Sequence, residues 1–307
     1  MIKKLILFFI SFVVIGLICQ FFLNSYIQSL VVSFLINAIM ALSLNFITGV
    51  ANQFSLGHAG FMALGAYTSA VITKEFFGHQ WFMIPVSALI GGLIASFAGY
   101  LVSLPSFKLR GDYLAIVTFG FAEIVRVVIL NWNYVGGPRG YSSITAWPNF
   151  TVSFAVTGLF LFVTFLVLYN LKISWFGRNL WAINENEIAA EVMGTPIAKN
   201  KRSAFLISSF FAGLGGALYA HHVSYISPAT FGFLMSVQIL IFAVFGGLGS
   251  MSGSVLSAMI LTALPEVLRS LPTGGIDLRM IIFPILLILM MILRPQGLMG
   301  RKEIFEK

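Results

Sequence analysis

Leu159-Phe-Leu-Phe-Val-Thr-Phe-Leu-Val-Leu168 offers one polar group in ten side chains, the Thr164 hydroxyl, and Ile281 to Leu293 carries no charge at all. An outer-membrane barrel strand would alternate apolar and polar side chains over about ten residues. Neither stretch does, and a backbone in lipid must satisfy its own hydrogen bonds, so both read as helices. Similar apolar stretches lie at 5–23, 27–48, 57–74, 82–104, 113–131, 152–171, 203–222, 233–249, 254–270 and 279–294. Those at 57–74 and 254–270 are the least continuous. A hydrocarbon layer about 30 Å thick takes about 20 helical residues per crossing, so ten crossings use about 200 residues. The 307 residues leave room for loops and ends. The expected fold is an all-α, polytopic transmembrane bundle of about ten spans, forming one membrane-embedded domain over 1–307.

Composition agrees. Hydrophobic residues make up 59% of the chain and charged residues 9%, against about 25% charged in a soluble domain. Mean hydropathy is +0.97. Too little polar surface exists to face water, so a soluble globule is excluded and the bilayer is the solvent. The net charge of +8 is scattered between apolar runs rather than gathered on one face, which excludes nucleic acid as a partner.

The positions of Lys and Arg give the orientation, because cytoplasmic loops retain positive charge. With Lys3 and Lys4 inside, ten spans also place Lys108, Arg110, the segment 172–202, Arg294, Arg301, Lys302 and Lys307 inside. The outer loop 132–151 contains Arg139 alone. Both termini are therefore expected in the cytoplasm. No small-x-small site follows Gly16, so the first apolar stretch reads as an uncleaved anchor rather than a signal peptide. Cys19 is the single cysteine, which excludes internal disulfides and clustered-thiolate metal sites.

Segment 172–202 is the longest polar stretch. Leu180, Ile183, Ile188, Val192 and Met193 recur at partial helical spacing, predicting a short amphipathic helix over 179–193 that Gly194 and Pro196 end. Such a helix suits docking of a soluble partner. The alternative, an interfacial helix on lipid headgroups, is opposed by Glu185, Glu187 and Glu191, since an anionic leaflet prefers basic faces.

Glu187-x-Ala189-Ala190-x-x-x-Gly194 resembles the Glu-Ala-Ala…Gly loop by which bacterial ABC-importer permeases couple to their ATPases, with one inserted residue, Ile188. Ser55-Leu-Gly-His-Ala-Gly-Phe-Met-Ala-Leu-Gly-Ala-Tyr67, Leu109-Arg-Gly-Asp-Tyr-Leu-Ala-Ile-Val-Thr118, Gly177-Arg178 with Asn184-Glu-Asn-Glu187, Gly246-Gly-Leu-Gly-Ser250 and Arg294-Pro-Gln-Gly297 resemble the branched-chain amino-acid permease family. The match is closest to the subunit type that pairs with a second, different permease. It runs from about Asn37 to Gly300. The resemblance implies a subunit of an importer in the bacterial inner membrane. Its partners would be the second permease, two cytoplasmic ATPases and a periplasmic or extracellular binding protein delivering leucine, isoleucine or valine. Related permeases carry urea, small amides or other amino acids. The resemblance implies a coupling role for Glu185, Glu187, Ala189, Ala190 and Gly194.

The chain lacks a Gly-x-x-x-x-Gly-Lys-Ser/Thr phosphate loop. Gly246 to Gly253 is Gly-rich without the required Lys and reads as close packing or a turn between spans. No nucleophile elbow, His-Glu-x-x-His helix or cofactor motif appears, which weighs against a membrane enzyme. A stand-alone secondary transporter is the other alternative.

Ionisable groups inside spans default to functional hypotheses. Glu123 and Arg126 are three apart, and Glu266 and Arg269 repeat the spacing. Each pair is either self-neutralising or borders the translocation path. The echo hints at a parallel duplication of spans 2–5 and 6–9. Between spans two and three, Asn52, Gln53, Ser55 and His58 interrupt the apolar pattern while Gly49, Gly57 and Gly60 permit non-helical backbone. The stretch is either an ordinary cytoplasmic turn or unwound backbone lining the path. His58 reads as a packing residue, and His221-His222 as a site too sparse for a metal.

Overall fold

In the computed structural model, apolar stretches become helices in the order the sequence predicts: α1 (Ser25–Asn45), α2 (His58–Val71), α3 (Ile84–Ser106), α4 (Tyr113–Asn131), α5 (Phe150–Ile173), α6 (Trp175–Glu185), α7 (Glu187–Val192), α8 (Ile197–Val223), α9 (Phe233–Gly246) and α10 (Met251–Arg269). The structure describes residues 24–106 and 113–269, and beyond them 285, 288, 292, 293, 296–300 and 303. The span at 5–23, most of 279–294, Cys19, Lys108, Arg110 and the basic residues at both ends lie outside these. No strand occurs among the described residues, only an isolated bridge between Tyr141 and Ile226.

Among the described residues, six helical stretches are long and apolar enough to cross a bilayer: Ser25–Val50, Trp81–Leu104, Tyr113–Asn131, Phe150–Ile173, Ile197–Val223 and Met251–Leu268. The stretch at 254–270, one of the least continuous in sequence, is among them. α2 and α9 are shorter, 14 residues each, or about 21 Å at 1.5 Å per residue. Neither helix alone matches a 30 Å layer. A five-residue π turn, Ile72–Phe76, lengthens α2.

α1 and α8 form the centre, buried along most of their length, while α3 and α4 turn Leu93, Phe97, Ile116 and Ile124 outward. Glycine makes the central crossings possible. A Cβ on Gly65 would overlap the backbone of Gly213, and one on Gly216 would overlap the Met62 carbonyl. Helices without a hydrophobic drive between them gain from such close backbone approach.

Successive crossings alternate in direction. α1 runs against α8, with Ser33 meeting His222 and Ser43 meeting Ser208. α2 runs with α8, since His58 meets Ser208 and Ser69 meets His221. Exchanging α1, α2 and α3 for α8, α9 and α10 reproduces the packing: α1 on α10 answers α8 on α3, α1 on α9 answers α8 on α2, and α2 on α3 answers α9 on α10. The exchanged segments run in opposite directions, so the repeat is inverted. This corrects the parallel duplication read from the acid and base echo. A parallel scheme would map the extensive α2–α3 contact onto α8–α9, which is not a major contact. With crossings alternating, an offset of four spans is parallel and one of five is inverted.

Candidate functional site

Two regions carry the polar residues, and both sit at the end of the bundle where segment 172–202 leaves it. The predicted helix over 179–193 is two helices. Asn186 adopts extended backbone (φ −157°, ψ 107°), and its side-chain oxygen accepts from the Ala189 amide at 3.0 Å, ending α6 and capping α7. Asn competes with the helix in this way because its short side chain reaches the backbone two or three residues on. Ser174 begins α6, accepting from the Gly177 amide at 3.4 Å. Gly194, at φ +82°, closes α7 in the left-handed region, and a Cβ there would meet only open space. Its role is conformational.

α6 is held by the bundle through buried Leu180 and Ile183, while Trp181 lies against the Gly249 backbone. α7 is the opposite. Ile188, Val192 and Met193 are 71%, 82% and 84% exposed, and Glu185, Glu187, Ala189 and Glu191 are exposed around them. Ala190 alone turns inward. Ile188, the residue that departs from the family's loop, is part of this apolar ridge.

The stretch 51–57 is not helical, and most of it is buried. Gln53, Ser55 and His58 are nearly inaccessible, whereas Asn52 (φ +51°) and Phe54 are exposed. α1 unwinds through a π turn, Phe46–Val50, before this stretch. Thr118 of α4 accepts the Leu56 amide at 3.1 Å, and a Cβ on Gly57 would meet the Thr118 carbonyl at 2.6 Å. Ser236 of α9 accepts the Ala59 amide at 3.2 Å. His58 Nε2 lies 3.1 Å from Ser43 Oγ and 3.5 Å from Ser208 Oγ, while its Nδ1 is buried without a hydrogen-bond partner among the described residues. Gln53 donates to the Lys201 carbonyl at 3.1 Å. The break thus combines features of both sequence alternatives: it adjoins the polar segment, and it is packed between α1, α4, α8 and α9.

Beside it, Asn45 holds the Gly-rich turn. Its amide donates to the Gly247 carbonyl (3.0 Å), the Ser250 carbonyl (2.8 Å) and Ser254 Oγ (2.5 Å), and its oxygen accepts from the Gly249 amide (2.7 Å). Gly246 to Gly253 is accordingly a packed turn. Leu298 and Met299 amides reach the Phe245 and Gly246 carbonyls, bringing the Gln296-Gly297 end of one motif onto the Gly246–Ser250 motif.

Lys172, counted in sequence only as a cytoplasmic charge of segment 172–202, and Glu303, not singled out there, meet here at 2.6 Å, both buried. Glu303 also accepts from the Met251 amide (2.8 Å), the Ser252 amide (2.9 Å) and Ser252 Oγ (2.6 Å), capping α10. Burial pushes the Glu303 pKa up, but Lys172, the Ser252 hydroxyl and the two amides outweigh it, and the net shift is downward. No sequence signal marks the pair, since its members are 131 residues apart.

Glu123 and Arg126 pair with each other at 2.7 Å on α4, partly exposed. Glu266 lies on α10, which packs mainly on α1 and α9. The Arg269 side chain is outside the described residues. His221 is fully buried between the Thr145 carbonyl (2.7 Å) and Ser69 Oγ (2.8 Å), and His222 bonds Ser29 and Ser33. No cluster of metal-ligating side chains occurs among the described residues.

A family model described as the branched-chain amino acid transport system / permease component matches residues 26–291. The chain is 33% identical, over 95% of its length and 74% of the relative's, to the high-affinity branched-chain amino acid transport system permease protein LivM of Escherichia coli (strain K12). It is 27% identical, over 78% of its length and 83% of the relative's, to the nucleoside ABC transporter permease protein NupC of Lactococcus lactis subsp. cremoris. To the high-affinity branched-chain amino acid transport system permease protein LivH of Salmonella typhimurium it is 23% identical, over 87% and 92%. No solved structure matches with significance.

Proposed function

Because the chain belongs to the branched-chain amino-acid transport system permease family, we propose that it is the membrane-spanning permease subunit of an ATP-driven importer of leucine, isoleucine and valine. The observation that carries the ATP-driven part is the exposed ridge of Ile188, Val192 and Met193 on α7, ringed by Glu187 and Glu191. An apolar knob with an acidic rim, mounted on a helix that the bundle grips firmly, is suited to a soluble partner rather than to lipid headgroups. In this reading Glu185, Glu187, Ala189, Ala190 and Gly194 form the coupling loop for two cytoplasmic ATPase subunits. The chain itself has no phosphate loop, so hydrolysis belongs to those partners.

Likeness both to LivM and, more distantly, to LivH supports pairing with a second, homologous permease. Loading by a periplasmic or extracellular binding protein and residence in the bacterial inner membrane follow from the same family reading. The path would pass the unwound stretch at Asn52, Gln53, Ser55, Gly57 and His58, with Glu123, Arg126 and Glu266 at its border. A nucleoside or another small polar solute is the second reading of the cargo, favoured by the identity to NupC.

The test is reconstitution. With both permeases, the ATPases and the binding protein in liposomes, ATP should drive accumulation of radiolabelled leucine. Ion-gradient-driven uptake by this chain alone would overturn the proposal, and ATP-driven uptake of nucleosides in place of leucine would change the cargo.

A further inference from the structure

We propose that Lys201 links helix α7 to the unwound stretch 51–57, its side chain holding one and its main chain the other; the proposal rests on the ATP-driven reading above. Lys201 Nζ lies 2.9 Å from Glu187 Oε2, and the Lys201 carbonyl accepts from Gln53 Nε2 at 3.1 Å. Glu187 is the first residue of α7, the helix that carries the exposed ridge. One residue therefore touches both regions that the sequence analysis singled out separately.

The link is directional. The apolar packing of Leu180 and Ile183 that holds α6 on the bundle tolerates sliding. A hydrogen bond and an ion pair fail when their geometry is lost. Gln53 depends on its bond strongly: the side chain is buried, and its Oε1 finds no partner among the described residues. The surrounding backbone has little regular bonding of its own. Ala51 reaches the Phe46 carbonyl at 3.3 Å, Gln53 reaches the Ile47 carbonyl at 3.0 Å, and the Leu56 and Gly57 amides turn to side chains. In such a segment the bonds to neighbours set position. Displacing α7 along its ridge pulls Glu187, hence the second turn of α8, hence Gln53. Lys201 is a positioning residue here, acting through Glu187 and Gln53.

Lying between two regions is no proof of coupling, so the test reads motion directly. In the purified complex with its second permease and ATPase subunits, Cys19→Ser removes the native thiol and Phe54→Cys places a single thiol on the exposed face of the stretch. Labelling by a membrane-impermeant maleimide is timed with and without ATP plus vanadate. With Lys201 present the rate should change about fivefold, the low end of ordinary coupling between sites. Lys201→Met and Gln53→Leu should abolish the change at equal ATPase association, Lys201→Arg should restore it, and Lys199→Met, a neighbouring charge control, should leave it intact. A change that survives Lys201→Met, or a Lys201 complex that hydrolyses ATP without any change at position 54, overturns the link. Failure of the unsubstituted complex to bind ATPase subunits overturns the ATP-driven reading and the link with it.

Discussion

Lys172 lies in the last turn of α5, and Glu303 reaches it from beyond the final apolar stretch, forming a buried ion pair of 2.6 Å whose carboxylate also caps α10. Removing one member of a buried pair leaves an uncompensated charge, at a cost of about 3 kcal/mol. Lys172→Met is therefore expected to lower the thermal midpoint in detergent markedly. Replacing both residues, Lys172→Met with Glu303→Gln, should recover part of the loss.

The same carboxylate gives the bundle a pH dependence of known sign. The Glu303 pKa is lowered below its ordinary 4.5, so its contribution is complete above that value and is lost as pH falls through the folded-state pKa. Thermal midpoints measured from pH 7 down to 4 and below should show a loss confined to the acid end. Glu303→Gln should remove that part of the profile and lower the plateau at neutral pH.

Asn45 satisfies four groups of the Gly-rich turn while fully buried. Asn45→Ala would strand the Gly249 amide, an orphan costing about 1–3 kcal/mol, and take one donor each from the Gly247 and Ser250 carbonyls, which keep the Ser250 and Ser254 amides. A destabilisation of about 3 kcal/mol is expected in denaturant unfolding. Asn45→Asp should be no better, because it loses the donors and buries a charge.

Gly65→Ala should cost about 1–3 kcal/mol through the collision with Gly213. Gly120→Ala, where a Cβ meets nothing within 4 Å, is the matched control and should be neutral or slightly stabilising, since Ala favours helix. Parallel thermal scans of the two variants check the difference.

On α7, Val192→Ser together with Met193→Ser should leave the thermal midpoint within about 0.5 kcal/mol of the parent, because neither residue packs on the bundle. If the ridge is the docking surface, association with the ATPase subunits should weaken by tenfold or more, about 1.4 kcal/mol. Co-purification at graded salt concentrations measures it.

The helical class, the helices within 25–269 and the polar segment were legible in the chain because apolar length and charge position are local properties. The break between α6 and α7 was legible in principle, through Asn186 preceding Glu187, but the partial periodicity across 179–193 hid it. The repeat was misread. Its direction is carried by which helices touch, and the spacing shared by Glu123–Arg126 and Glu266–Arg269 says nothing about that. Lys172 with Glu303, Lys201 with Gln53, and Asn45 with Gly249 are meetings across long separations, and no local pattern announces them. Gln53 and Glu187 were each noticed alone; their common neighbour counted only as one of the positive charges of segment 172–202.

The cap on α10 has a consequence for the order of assembly. Glu303 follows Ser252 by 51 residues, so during synthesis the helix is made well before the carboxylate that completes its first turn. Until that residue leaves the ribosome, the Met251 and Ser252 amides and the Lys172 ammonium lack their anion. Biogenesis of the Gly-rich junction is thereby tied to completion of the tail. A chain stalled or clipped before residue 303 should enter the bilayer and yet present an unfinished junction to the quality-control proteases.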